Sequence, residues 1–281
     1  MRCKLTKCNT QNLMAREFCV APLPARVAKD ILRQSKEFDF NLLREGRVAT
    51  GVTHDRSVLV SGSGNVGIST AYGAKEYGVH ANLRKLERMG ADGLVRSLNA
   101  LVRKTFPDFK FTNIQMNKNF PGKLHIDRGN IGKSIMLVVA DPGATGGDLF
   151  VRLPANKHRD APHSCVLEVM NKWVWFDGTI PHATMATKGG ERYSFVFFTS
   201  NNVRYKPLSP QVTRSLRDFQ FAPPARPLAL RWNKKRQEKN TESVRNLEAT
   251  RDTERATRRE YERRVHGAPR VRKNGPRART S

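Results

Sequence analysis

Between residues 111 and 199 the chain breaks into short β-branched or aromatic runs, at residues 111–116, 134–140, 148–153, 172–176 and 193–199, separated by Gly, Pro, Asn and Asp. Several short strands with turn residues between them imply an antiparallel sandwich or barrel. The run Ile135-Met136-Leu137-Val138-Val139 has no polar position. Such a strand must be covered on both faces, as an inner strand is.

The flanks read differently. After Pro24, residues 25–32 form a helix pattern with Val27, Ile31 and Leu32 on one side, and residues 83–106 form a longer one, interrupted near Gly90 and Gly93. Leu94, Leu98, Leu101 and Val102 make an apolar stripe that buttresses a sheet. The expected organisation is therefore an N-terminal helical support region over residues 1–110, a β core over 111–206, and a basic Pro/Arg-rich linker, charged helix and tail over 207–281. Residues 228–265 are rich in helix formers but lack an apolar stripe, and residues 267–281 should be disordered in isolation. The stretch Ser57-Val58-Leu59-Val60 followed by Gly62-x-Gly64-x-x-Gly67 matches a dinucleotide fingerprint in letters. Gly73 and Gly78 break the helix that should follow, and a flexible loop over the active site is the better reading.

A chain of 281 residues, 38% of them hydrophobic, can bury one main core. Its net charge of +26 predicts attraction to polyanions, with nucleic acid ahead of anionic membrane. Residues 201–281 alone carry 22 Lys/Arg against 8 Asp/Glu, a net +14. A basic arm of this kind can track a phosphate backbone, or be a solvated helix laced by pairs such as Glu254 with Arg258. Cys3, Cys8, Cys19 and Cys165 form no C-x-x-C pair, so neither a zinc site nor a disulfide framework is indicated. Residues 1–20 hold no apolar stretch of signal-peptide length and no run reaches transmembrane length, so the expectation is a soluble, intracellular monomer without membrane insertion. Lys234-Lys235-Arg236 is compatible with nuclear import and equally with a plain helix surface.

The chemistry is concentrated in a few residues of the β region. Side chains at i and i+2 of a strand share a face, so His125 and Asp127 can aim together into a barrel interior, with His182 arriving after the turn residues Asp177-Gly178 and Pro181. Two imidazoles and one carboxylate on one side of an ion are the ligand set of non-haem Fe(II) oxygenases, and leave open positions for co-substrate and dioxygen. The plainer reading of an isolated H-x-D is a surface dipeptide. Arg192 and Ser194 are again i and i+2. A buried guanidinium needs an anionic partner, and its planar fork suits both oxygens of a carboxylate. An acidic side chain in a structural ion pair would serve as well.

Together these residues resemble the Fe(II)/2-oxoglutarate-dependent dioxygenase superfamily, whose pattern is H-x-D, a distal His, and an Arg about ten residues later with a Ser two beyond; here Arg192 follows His182 by ten. The resemblance spans about residues 113–200. It implies an α+β protein with a double-stranded β-helix (jelly-roll) core, N-terminal supporting helices and a basic helical C-terminal arm. It also implies Fe(II) held by His125, Asp127 and His182 as the catalytic centre, and 2-oxoglutarate whose distal carboxylate meets Arg192 and Ser194. Asn117, on the strand before the H-x-D, can point toward the co-substrate or be a surface strand Asn.

Within that superfamily the chain is most similar to the TET and base-J-binding-protein (JBP) branch, which oxidises methyl groups on pyrimidine bases in nucleic acid. The string His125-x-Asp127-x-x-Asn130, then Gly146-Gly147-Asp148-Leu149 and residues 192–198 carry this likeness. By resemblance Asn130 bonds the base edge and Phe198 stacks on the flipped base; Asn130 can also be a turn residue near Gly129 and Gly132. The chain departs from the branch at Ser200, where a base-contacting His is expected, and lacks the cysteine-rich zinc region of animal TET proteins. The expected function is oxidation of a methyl group on a base in DNA or RNA. A protein hydroxylase with the same iron chemistry and a non-catalytic nucleic-acid-binding jelly roll are the alternatives. His54, His80, His158, His163 and His266 show no ligand spacing, and Trp173, Trp175 and Phe176 read as core or barrel wall.

Overall fold

Strands of this chain carry apolar side chains at alternate positions or at every position, and that choice sorts them into layers. The computed structural model describes residues 18–43, 62–69, 78–79, 81–122, 124–127, 129–152, 164–203 and 207–225. The chain divides into two units, Met1–Thr241 and Glu242–Ser281, and all described residues lie in the first. The charged helix expected over 228–265 and the tail beyond it fall outside the described residues.

In chain order the described elements are β1 (Phe18–Pro22), α1 (Ala25–Glu37), a 3-10 turn (Phe40–Leu43), β2 (Gly62–Ser69), β3 (Gly78–Val79), α2 (Ala81–Arg88) and α3 (Gly93–Thr105). The β-rich segment follows, with β4 (Asn113–Lys118), β5 (Asn130–Ala140), β6 (Thr145–Gly146), β7 (Leu149–Arg152), β8 (Ser164–Leu167), β9 (Lys172–Phe176), β10 (His182–Thr184), β11 (Thr187–Lys188) and β12 (Arg192–Ser200), and α4 (Pro210–Asp218) closes it. A seven-stranded antiparallel sheet runs β1-β9-β5-β12-β4-β2-β3, and a three-stranded sheet runs β10-β7-β8. A short β11-β6 pair lies beside them in the chain. The large sheet's central strands come from distant parts of the sequence, as a double-stranded β-helix requires.

The central strands have two different neighbours. On β5, Ile135, Leu137 and Val139 join the cluster that includes Leu94, Val95, Leu98 and Val102 of α3. The intervening Met136 and Val138 join Leu149 and Val151 of β7, Cys165 of β8, and Val174 and Phe176 of β9. One face of the large sheet therefore packs on the helices and the other on the small sheet. The absence of polar positions in β5 follows from this, since both of its faces are dry. Burying each such side chain stabilises by about 1.5–3 kcal/mol relative to exposure. Trp173 and Trp175 lie on the helix side, edge-on to Phe106 at 5.2 and 5.4 Å, which makes them core as expected.

Two expectations are corrected. The Gly62-x-Gly64-x-x-Gly67 stretch is strand β2, paired in register with β4 from Gly62 opposite Lys118 to Gly67 opposite Asn113, and not a loop over the site. Together with β1 and β3 it makes residues 1–110 a contributor of strands to the large sheet as well as of helices. The segment after Pro207 is not linker at first. Ser209 caps α4 by accepting from the Val212 amide, Pro210 occupies the first turn, and Val212, Leu216, Phe219 and Phe221 enter the helix-side core.

The docked segment has a direct test. Phe221 is fully buried and packs against Phe111 with ring centroids 5.6 Å apart, so Phe221→Ala is expected to destabilise the protein by about 3–5 kcal/mol in urea denaturation. A change below about 1 kcal/mol would mean that the segment is only loosely attached.

Candidate metal centre

His125 and His182 face each other across an antiparallel bridge in which each backbone amide donates to the other's carbonyl at 2.9 Å. Directly opposed residues of this kind project their side chains to the same side, and the two imidazole centroids lie 4.4 Å apart. His182 opens β10 in the small sheet, whereas the H-x-D segment has only this bridge and is not a full strand. Asp127 is fixed separately, its amide donating to the Gly178 carbonyl at 2.7 Å. Its Oδ1 lies 3.5 Å from His125 Nε2 and its Oδ2 lies 3.9 Å from His182 Nε2. One ligand atom from each of the three residues falls within 4.8 Å of the others.

The protonation pattern suits a cation. His182 Nδ1 lies 2.8 Å from the Ile180 carbonyl, which can only accept, so Nδ1 carries the hydrogen and Nε2 presents its lone pair toward Asp127. Burial pushes the His182 imidazole below its ordinary pKa, against the opposing pull of Asp127, and this favours the neutral ring. Burial would raise the Asp127 carboxyl, yet the hydrogen bond with His125 and the nearby imidazoles hold it below the usual range. A carboxylate with two imidazoles is the donor set a divalent first-row ion prefers. His182 is buried against the edge of the Phe176 ring at 5.3 Å, while His125 is exposed, so the cluster opens on the His125 side.

Arg192 begins β12 on the face turned away from the helices, because Tyr193, Phe195 and Phe197 take the helix side. It is 1% exposed, and both Nε and Nη2 lack any partner. Among the described residues it makes no ion pair; burial pushes its pKa down to about 10, partly offset by the charge of Asp148. An uncompensated buried guanidinium is costly, and the residue's backbone is held in place by its N–H donating to Asn119 Oδ1 at 2.7 Å. Gly147 makes room for it, since a Cβ there would meet Arg192 Cδ at 2.5 Å. The two unpaired N–H groups fit an anion with two acceptor oxygens. Ser194 is buried two residues on, its Oγ accepting from Asn117 Nδ2 at 3.4 Å. Asn117 Oδ1 in turn accepts from Ser63 Oγ at 2.8 Å and Gln115 Nε2 at 3.2 Å, so it belongs to an inner polar row and is not an isolated surface residue.

The remaining two candidates fall near the metal cluster end of β5 and β12. Asn130 opens β5 opposite Ser200, is buried, and donates from Nδ2 to Asp127 Oδ2 at 3.0 Å and to Ser134 Oγ at 3.2 Å. Phe198 is buried on β12, opposite Asn113 of β4 and beside the register shift between Phe197 and Thr199. Residues that sequence reasoning passed over include Gly178, Ile180, Asn119 and Ser134. Only Ile180 and Gly178 had any signal, as neighbours of His182 in a turn.

No protein-family model and no curated protein matches the sequence. Among solved structures, the chain is similar to NgTET1 in complex with 5mC DNA, with 16% identity and a TM-score of 0.46 over 72% of this chain and 80% of that one. A 2OG-Fe(II) oxygenase family oxidoreductase from Burkholderia pseudomallei gives 15% identity and 0.40 over 70% of this chain and 92% of that chain. A Pseudomonas putida prolyl-4-hydroxylase gives 16% and 0.36 over 66% of this chain and 95% of that chain.

A cluster this close should fail when space beside it is filled. A Cβ on Gly178 would sit 2.6 Å from Asp127 Oδ2, so Gly178→Ala is expected to displace the carboxylate and weaken divalent-metal binding by about tenfold in calorimetric titration. Unchanged affinity in a folded variant would count against Asp127 as a ligand.

Proposed function

We propose that this chain is an Fe(II)- and 2-oxoglutarate-dependent dioxygenase that oxidises a methyl group on a nucleic-acid base. The observation that carries the reading is the buried Arg192 guanidinium, with Nε and Nη2 lacking partners, on the inner face of the sheet whose Phe176 also packs on His182 of the His125, Asp127 and His182 cluster. Neither feature alone is decisive. Together they supply a cation site and a carboxylate site in the space between two sheets, which is what a chelating keto diacid needs.

In this reading His125, Asp127 and His182 hold the ferrous ion from one side. Arg192 receives the distal carboxylate of 2-oxoglutarate through its planar fork, and the Ser194 hydroxyl donates a further hydrogen bond. When bound, the iron couples dioxygen reduction to decarboxylation of 2-oxoglutarate to succinate and to hydroxylation of a substrate C–H bond. The protein's own work is orientation and exclusion of water. The Ile180 carbonyl fixes the His182 ring, Phe176 walls it, and Met136 and Val138 keep the region between the sheets dry. The exposed His125 side is the route by which dioxygen and substrate reach the ion.

The base substrate is supported by charge and by two residues. A net charge of +26, more than half of it beyond residue 200, favours a polyanionic partner bound in a salt-sensitive way. Phe198 offers an aromatic face for an extruded base and the Asn130 carbonyl an acceptor for its edge. Ser200 stands where a base-reading His is expected in the TET and JBP branch, so the edge is read with fewer groups.

Three measurements test this. Anaerobic addition of Fe(II) and then 2-oxoglutarate should produce a metal-to-ligand charge-transfer band, and its absence from folded protein would sink the enzyme reading. Arg192→Met is expected to weaken 2-oxoglutarate binding by at least about 30-fold, the consequence of removing a buried charge partner. Incubation with methylated DNA and RNA oligonucleotides, followed by mass spectrometry of the nucleosides, should reveal a hydroxylated methyl. Succinate release with a peptide and no change on any base would replace the substrate with protein.

A further inference from the structure

Asn130 has the composition of a base reader and the position of something else. Its side-chain amide is buried, and both of its N–H donors are occupied. One reaches Asp127 Oδ2 at 3.0 Å and the other Ser134 Oγ at 3.2 Å. The amide orientation is not arbitrary, because turning it over would set its carbonyl oxygen against a carboxylate. The backbone is equally constrained. Asn130 is paired with Ser200 on β12, its amide contacts the Asp127 carbonyl at 3.4 Å, and the neighbouring Gly129 carbonyl accepts from Asn201 at 2.6 Å. Ser134 is fully buried on β5, so its hydroxyl anchors the amide from the sheet side.

We propose that Asn130 is a positioning residue for the metal centre, which fixes the Asp127 carboxylate through Oδ2, and that Ser134 holds Asn130 in the orientation this requires. The inference rests on the reading of His125, Asp127 and His182 as metal ligands. A carboxylate free to rotate about its last torsion can offer a cation either oxygen in many directions. One whose Oδ2 is tied to an amide offers a restricted set, and the ordering is done before the metal arrives. Gly178 leaves room for the carboxylate on one side, since a Cβ there would lie 2.6 Å from Oδ2, and the Asn130 amide fixes its orientation on the other. A consequence follows for substrate: only the carbonyl oxygen of Asn130 is left to meet a ligand, so any group it contacts must donate a hydrogen.

The test separates metal binding from folding and from substrate. Anaerobic Fe(II) affinity, with Mn(II) as a redox-inert check, is measured by calorimetry for the full chain and for Asn130→Ala, Asn130→Leu and Ser134→Ala, alongside the thermal midpoint of each metal-free protein. Asn130→Ala and Asn130→Leu are expected to weaken metal binding by about 10–100-fold, and Ser134→Ala to give a smaller loss of the same sign. Affinity for 2-oxoglutarate, measured at saturating metal, should stay unchanged, which a general loosening of the fold would not allow. Should the Asn130 variants fail to fold, Ser134→Ala decides alone, and unaltered metal affinity in it overturns the proposal. Folded Asn130 variants that bind metal as the parent does also overturn it, leaving the residue to the substrate. If the parent itself binds neither ion, the metal reading fails first, and the proposal with it.

Discussion

Strand β12 is packed on both faces, and the rest of the structure depends on that. Its odd positions, Tyr193, Phe195 and Phe197, are locked into the helix-side core, and this forces Arg192, Ser194 and Phe198 to the opposite side. A strand's period of two leaves no freedom in the matter, since slipping register by one residue would drive a guanidinium into the helices and three aromatic rings into the pocket. Hydrogen bonding to β4 on one edge and β5 on the other prevents the slip. The cost of burying Arg192 with Nε and Nη2 unpaired is therefore borne by the surrounding core, which over-determines its position.

The metal cluster is held by a different device. His125 and His182 depend on one bridge between residues 57 positions apart, and Asp127 on a single amide bond to Gly178 and the Asn130 tether. None of these contacts is apolar. The small sheet brings His182 in from β10, while β5 brings Asn130 in from the large one, so the cluster forms only when both sheets have closed on each other. Site assembly and tertiary folding are the same event here, which is why three residues with no sequence proximity as a set can act as one.

Much of this was legible in the sequence wherever the signal was local. The strands carrying the site were expected at residues 134–140, 172–176 and 193–199 and occur at Asn130–Ala140, Lys172–Phe176 and Arg192–Ser200. The break between α2 and α3 was announced by Gly90 and Gly93, and the shared faces of Arg192 with Ser194 followed from strand period alone. What escaped was long-range. Strand β2 has three glycines in the segment GSGNVGIS and little β propensity, so only its pairing with β4 makes it a strand. Helix α4 did carry a signature, Ser209 as cap with Pro210 in the first turn, but the prolines that follow at 223, 224 and 227 disguise it as linker. Gly178 reads in the sequence only as a turn residue, because the oxygen it must avoid is one that only the folded chain brings near.

Asn130 shows why motif letters and site geometry have to be weighed separately. The string His125-x-Asp127-x-x-Asn130 invites a substrate role, since an amide offers a base both a donor and an acceptor. In the fold the donors are consumed by Asp127 and Ser134, and an amide with no donor left can meet a base edge only by accepting. The same three-residue spacing that places Asn130 near a substrate also places it one hydrogen bond from a ligand, because β5 begins there and curls the chain back over Asp127. In the proposed reading, geometry at the metal and selectivity at the mouth are thus coupled through one side chain. A change that suits a different substrate at position 130 must also find another way to hold the carboxylate.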